Sequence, residues 1–472
     1  MSEIGNSLSE NLQTLFERQK QDFDASDLSW EKEWNLRKKR LTVLRRVVCD
    51  NARDIAQVIS SDFHGRRFEE TALSELMQVT AEIDLMLGKA KRWAETESCP
   101  TPWKFFPASS RTVCQPRGVV GVIGAWNYPL ALSLMPVADA LAAGNRVMIK
   151  LPERSRASSV FLESLLNKAF DPTVLVAFVG DREFAKAFSN LPFDLLFYTG
   201  GAAVGREVMR VAASNLTPVV LEFGGKSEAL IAPEADMKQA VRRLLVGKIL
   251  NAGQTCIAPD VVRVPASQLG VFMETVRFFI KRLCPNPQKV TALIDEVQAQ
   301  RIQGLLEDAR LHGTRIEKIM DPVAGDVFRP GFFLMIDPPE EAAVSKEEIF
   351  GPLFLVRTYD DIEQEIKKLR ARTEKPLALY WFDRNKKRIA RIERMIPCGG
   401  VTVNDTLLHF AQNRLPFGGI RTSGIGQYHG RAGFDAMSHR VPVFEQSRFS
   451  CFGWLDPPYS LAAKALIRFF MR

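Results

Sequence analysis

A chain of 472 residues, 46% of them hydrophobic, can bury more than one core, which points to an ordinary soluble protein of two or three domains. The formal charge of +8 is the thin excess of 63 basic over 55 acidic residues, and local runs such as Arg37 to Arg40 and Arg45 to Arg46 suit solvated helix faces. No basic stripe interleaved with aromatics stands out, so nucleic acid is not an expected partner.

The chain opens with MSEIGNSLSENLQTLFERQKQDF, polar and charged, without the basic start and apolar run of a signal peptide. No later apolar run reaches the length that spans a bilayer. From Leu12 to about Ser98 apolar residues recur at helical spacing between many charges, which predicts several amphipathic helices. Residues 99–116, CPTPWKFFPASSRTVCQP, carry four prolines and alternating apolar positions, the pattern of a protruding hairpin or crossing segment. From Val119 short apolar strands (VVGVIGAW, RVMIK, VLVAFVG, DLLFYTGG, VVLEFGG) alternate with helical segments (MPVADALAAG, SSVFLESLLNKAF, DREFAKAFSNL, VGREVMRVAASN). That alternation builds parallel sheets with crossover helices. A second α/β stretch from Asp236 to about Gly399 mixes MKQAVRRLLVGKIL with the strands DVVRVP, LFLVRTY and LALYWF. GGVTVN opens a glycine-rich return that ends near Glu445, and SLAAKALIRFFMR closes the chain as a short basic amphipathic helix.

Seven cysteines (Cys49, Cys99, Cys114, Cys256, Cys284, Cys398, Cys451) are too scattered, and odd in number, for a disulfide framework, so a reducing cytoplasm is expected. None of the five histidines stands at metal-ligand spacing, and no protein metal site is expected. A lone cysteine is usually a buried small hydrophobe. In NAGQTCIAPD, however, Cys256 follows a glycine-containing turn and precedes a proline, and the polar neighbours Asn251, Gln254 and Thr255 argue for a thiol on a loop at a domain mouth. A nucleophilic thiol needs a partner to activate water for its second half-reaction. Glu222 in VVLEFGGKS ends an apolar strand, where open parallel sheets place ligands, although a salt-bridged strand-edge carboxylate reads equally well. Asn127 in GAWNYP sits in a turn of the kind that usually caps its own backbone and can also supply an oxyanion donor. Gly200, Gly201 and Gly205 open a helix after a strand and would offer backbone N–H groups to a pyrophosphate, without the full dinucleotide fingerprint.

Together GAWNYP, GNRVMIKLPERS, FYTGGAAVG, LEFGGKS, GQTC, EEIFGPL and LPFGG, in that order, resemble the aldehyde dehydrogenase superfamily from about Leu12 to Glu445. GGVTVNDTLLH and GIGQYHGRAGFDAMSHR are similar to its class 3 branch, and TLLHFAQNRLPFGG most of all to bacterial coniferyl aldehyde dehydrogenases. The resemblance implies an α/β aldehyde dehydrogenase fold with a Rossmann-like parallel-sheet cofactor domain (residues 1–98 and 117–222), an α/β catalytic domain (223–398), a small β bridging segment for oligomerisation (99–116 and 399–445) and a tail (446–472). It implies Cys256 as nucleophile, Glu222 as general base and Asn127, with the Cys256 N–H, as oxyanion hole. It implies Trp126 among the cofactor-binding residues, Lys150 and Glu153 at the adenosine ribose, Gly200 and Gly205 at the pyrophosphate, and Glu348 and Phe350 at the nicotinamide ribose and ring. Gly201 stands where the family often has Ser or Thr, Phe223 for Leu, Glu228 for Pro and Ala125 for Pro.

The implied activity is NAD(P)-dependent oxidation of an aldehyde to an acid through a cysteine thiohemiacetal and thioester. Glu153 favours NAD by repelling a 2′-phosphate, with NADP possible. Coniferyl aldehyde, giving ferulate, is the expected substrate, and a medium- or long-chain fatty aldehyde the alternative. A coenzyme A-acylating enzyme and an inactive structural homologue are less favoured, because Cys256, Glu222 and Asn127 are all present. A homodimer is expected through the bridging segment. The terminal helix, with Lys464, Arg468 and Arg472 among Leu461, Leu466, Ile467, Phe469 and Phe470, is expected either to pack on the subunit, the favoured reading, or to rest on a membrane surface as a peripheral association.

Overall fold

The computed structural model describes residues 2–27, 29–448 and 455–471; Cys451 and Arg472 lie outside them. Two sheets of mainly parallel strands organise the molecule. The first runs, edge to edge, through 424–425, Val219–Glu222, Leu195–Thr199, Val119–Ile123, Arg146–Leu151 and Leu175–Val179, parallel except for the added strand 424–425. Its central strands are buried on both faces, which is why they read as unbroken apolar runs. One face is covered by Ala131–Ala143, whose every residue is buried, with Trp30–Asp50 and Met77–Ala94 packed over it. The second sheet contains seven strands: Arg315–Met320, Phe332–Ile336, Leu353–Tyr359, Val261–Pro265, Glu228–Ile231, Ala378–Phe382 and Gly400–Val403. Only its first pair is antiparallel.

A third, antiparallel sheet joins Glu97–Cys99, Ser109–Pro116 and Ser438–Glu445. The glycine-rich return does not stay together as one bridging segment. Gly400–Val403 extends the seven-stranded sheet beside Ala378–Phe382, and Gly424–Ile425 pairs with Val219–Glu222 in the first sheet. Only Ser438–Glu445 joins the small sheet, because backbone pairing distributes short strands wherever an edge is open.

The departure at Glu228 has a structural counterpart in the second sheet. The carboxylate is buried, takes a bidentate fork from Arg263 (2.8 and 3.2 Å) and also pairs with Arg372, while Arg263 reaches Glu365. At the chain end Leu461–Phe470 forms a helix whose Ala463 is buried and whose Phe470 ring lies 5.7 Å from Trp103 in the hairpin. Leu461, Ile467 and Phe469 stay exposed, and Leu466 is half-buried. Among the described residues no helix is long and apolar enough to cross a membrane, and no cluster of His, Cys, Asp and Glu is arranged to hold a metal.

Candidate active site

A cavity of about 1200 Å³ opens at the carboxyl ends of the first sheet and reaches the turn that carries Cys256. Trp126, Asn127, Lys150, Glu153, Gly200, Glu222, Cys256, Glu348 and Phe350 all line it. Gly205 does not: a Cβ there would collide with the Phe223 ring, so this glycine makes room for helix packing rather than for a pyrophosphate. The bulkier Phe223 and the small Gly205 therefore fit one another.

The Cys256 turn is held from behind. Asn251, Ala252 and Gly253 are all left-handed (φ 52°, 52° and 75°), a costly run for non-glycine residues. Asn251 Nδ2 donates to the Asn127 carbonyl at 2.9 Å, and Gln254 Nε2 donates to the Asn251 and Ala292 carbonyls at 3.0 Å each. The Tyr128 and Thr255 hydroxyls bond at 2.7 Å. Asn251, Gln254 and Thr255 are thus buried, contrary to the solvent exposure their polarity suggests, because their side chains replace water as partners for the turn. The thiol itself is half-buried at the cavity floor. Burial first, then the nearby Glu348 and Glu222 carboxyls, push it well above the ordinary thiol range, while the N–H groups of Cys256 and Ile257 oppose that shift. Asn127, likewise buried, has its amide fixed by donating to the Gln254 carbonyl at 3.1 Å.

Glu222 ends its strand with both carboxyl oxygens buried and without a hydrogen-bond partner among the described residues. Burial pushes it well above the usual carboxylate range, opposed by the nearby N–H of Gly419. Glu348 is also raised, to about 8, by burial and then by Asp260, against a bond from the Gly225 N–H. A Cβ at Gly224 would strike the Glu348 carboxyl, so this glycine is what admits it. The Glu348–Phe350 turn is clamped by residues that motif reading passed over. Arg301 donates to the carbonyls of Glu348 (3.2 Å), Ile349 (2.5 Å) and Phe350 (3.4 Å), and Lys226 donates to Asp260 and to the Val344 and Glu347 carbonyls. The clamp sets Phe350, at φ 48°, edge-on to Trp126 with ring centroids 5.4 Å apart.

The opposite end of the cavity suits a dinucleotide. The helix Ala202–Ser214 begins at Gly201 with no side-chain cap, and a Cβ on Gly201 would meet open space, so its first N–H groups face the cavity unobstructed. The absent Ser or Thr at Gly201 removes a hydroxyl and leaves those donors in place. Lys150, nearly buried, is ion-paired to the half-exposed Glu153. Tyr428, Thr199 and Phe417 also line the cavity, and neither the Tyr428 nor the Thr199 hydroxyl has a partner among the described residues.

A parallel-sheet cofactor domain meeting a second α/β domain over a cavity with a thiol at its floor defines a dinucleotide-dependent dehydrogenase. Residues 3–442 match the aldehyde dehydrogenase family, and the chain belongs to that family: it is an NAD(P)-dependent aldehyde dehydrogenase. It is 40% identical to a probable coniferyl aldehyde dehydrogenase of Pseudomonas aeruginosa over 97% of this chain and 95% of the relative. It is 37% identical to the coniferyl aldehyde dehydrogenase of a Pseudomonas species, over 87% and 86%. Among solved structures, substrate-bound Staphylococcus aureus AldH superposes with a TM-score of 0.89 at 29% identity, covering 97% of this chain and 99% of that one.

Proposed function

We propose that the chain oxidises a phenylpropenal of the coniferyl aldehyde type to the corresponding acid, with Cys256 as nucleophile, Asn127 as oxyanion donor and Glu222 as the base of the hydrolytic step. The observation that carries the roles is the meeting, in one cavity, of the Cys256 thiol with a buried carboxyl that is paired with no cation among the described residues. The substrate rests on the relatives named for coniferyl aldehyde, at 37 to 40% identity. The aromatic wall of Trp126, Phe417 and Tyr428 in the same cavity suits a flat ring.

The Cys256 sulfur adds to the aldehyde carbon as the C=O π bond opens and the thiol proton passes to cavity water, and the Asn127 amide, held by the Gln254 carbonyl, meets the developing negative oxygen. A donor of this kind typically lowers the barrier by about 3 kcal/mol. A bound nicotinamide would supply the hydride acceptor and a positive charge that favours the thiolate. Lys150, Glu153, Gly200 and the N-terminus of Ala202–Ser214 would hold the rest of the dinucleotide, and Trp126, Glu348 and Phe350 its nicotinamide end. Ionised Glu222 then takes a proton from water as the thioester is cleaved. The exposed Trp103, Phe106 and Phe444 of the small sheet belong to the surface through which two copies would associate. Coniferyl, benzyl and long-chain aldehydes compared by kcat/KM, with Cys256→Ala as control, test the reading. Coniferyl aldehyde should lead, and Cys256→Ala should lose turnover by on the order of a thousandfold or more. A preference for long aliphatic aldehydes would replace the substrate, and an active Cys256→Ala enzyme would remove the mechanism.

A further inference from the structure

We propose that Tyr428 is a further catalytic residue of the hydrolytic half-reaction: its hydroxyl, together with Glu222, seats the water that cleaves the Cys256 thioester. The inference rests on the roles given above to Cys256 and Glu222. The register of the first sheet places Thr199 opposite Glu222 and Phe197 opposite Val220, so the side chains of Phe197, Thr199 and Glu222 project from one face. The Tyr428 ring packs edge-on to Phe197 at 5.0 Å, on that same face. Reciprocal backbone hydrogen bonds to Phe417 (2.8 and 2.9 Å) and ring contacts with Phe417 and His429 fix it there.

The strand that leads to Tyr428, Gly424–Ile425, pairs with Glu222 and Leu221 themselves. The hydroxyl is fully buried, has no hydrogen-bond partner among the described residues and lines the cavity that Cys256 and Glu222 also line. A buried hydroxyl and a buried carboxyl that are both left unsatisfied, and that face one cavity without bonding each other, each cost stability. One water between them would supply the partners both lack, since a buried water needs two or more polar neighbours. Oriented this way, water donates one hydrogen to Glu222 and the other to the phenol oxygen, and its lone pair is left for the thioester carbon. The C–O bond forms, the C–S bond breaks, the proton on Glu222 passes to the leaving sulfur, and acid and free thiol result.

Tyr428→Phe keeps the ring and removes the oxygen. Two measurements test it: p-nitrophenyl acetate hydrolysis without cofactor, and the NADH burst with an aldehyde. A burst of one product per site should persist in both, while the steady rate falls about tenfold to a hundredfold, as expected for one lost hydrogen bond at the reacting atoms. The pH profile of deacylation should shift, and the melting temperature should change little, because the hydroxyl bonds no protein group among the described residues. A wild-type deacylation rate and profile would overturn the proposal, as would burst and steady rate falling together. Glu222→Gln, measured alongside, separates the two readings. If it deacylates normally the base assignment fails, whereas if it is blocked while Tyr428→Phe is normal, only Tyr428 is dismissed.

Discussion

Glu222 and Glu228 lie close together in the sequence, and both are buried at ends of parallel strands, yet the protein treats them in opposite ways. Glu228 is gripped by Arg263 and Arg372 in the second sheet, whereas Glu222 in the first has no charged partner among the described residues, only the Gly419 N–H nearby. Buried charge that is fully paired belongs to the architecture, and breaking such a pair is costly. A buried carboxyl left alone weakens the fold and persists where chemistry needs it. The contrast separates a structural glutamate from a reactive one without reference to any motif.

Glu222→Gln should lower steady turnover by about a hundredfold to ten-thousandfold while the acylation burst survives, and it should not lower the melting temperature. Rapid-mixing kinetics beside calorimetry would show both; a destabilised variant with normal turnover would erase the contrast. Glu228→Ala should do the reverse, costing about 3 kcal/mol in denaturant unfolding because Arg263 and Arg372 lose their shared acceptor, with kcat of the folded enzyme little changed. Gly205→Ala should cost about 1 to 3 kcal/mol through the clash with Phe223. Its Kd for NAD, by titration calorimetry, should be close to wild type, and a large loss of cofactor affinity would return Gly205 to the pyrophosphate. The smallest effect concerns pH. Glu222 binds its proton more tightly folded than unfolded, so it withdraws stability as pH climbs above the ordinary carboxylate range. Unfolding free energies measured across that range should fall less steeply in Glu222→Gln; equal slopes would mean that Glu222 is not raised.

Strands and helices of both α/β regions were legible because parallel strands buried on two faces are short apolar runs, and MKQAVRRLLVGKIL folds as the helix its spacing predicts. The destination of the glycine-rich return was not legible, since three short strands carry no mark of which sheet edge each will join. In the site, Glu222 and Cys256 drew attention through a strand end and a turn. Their meeting is tertiary, and no spacing encodes it. Gly205 misled because a glycine near a helix start looks alike whether it yields to a ligand or to a neighbouring ring. Tyr428 was overlooked because an aromatic residue in a return usually packs a core, as this ring also does; only its stranded hydroxyl sets it apart. Arg301 resembled any helix-surface cation until its three carbonyl partners were in view.

Gly424–Ile425 completes a sheet whose other five strands are finished by Glu222. During synthesis on the ribosome, the nucleophile and its carboxyl emerge long before the segment that walls them in. A nascent chain halted ahead of residue 417 would lack Phe417 and Tyr428 from the cavity wall and Gly424–Ile425 from the edge of the first sheet. Proteolysis just ahead of residue 417 would therefore strip that wall while leaving every strand of the two parallel frameworks up to Gly400–Val403 in the remaining chain.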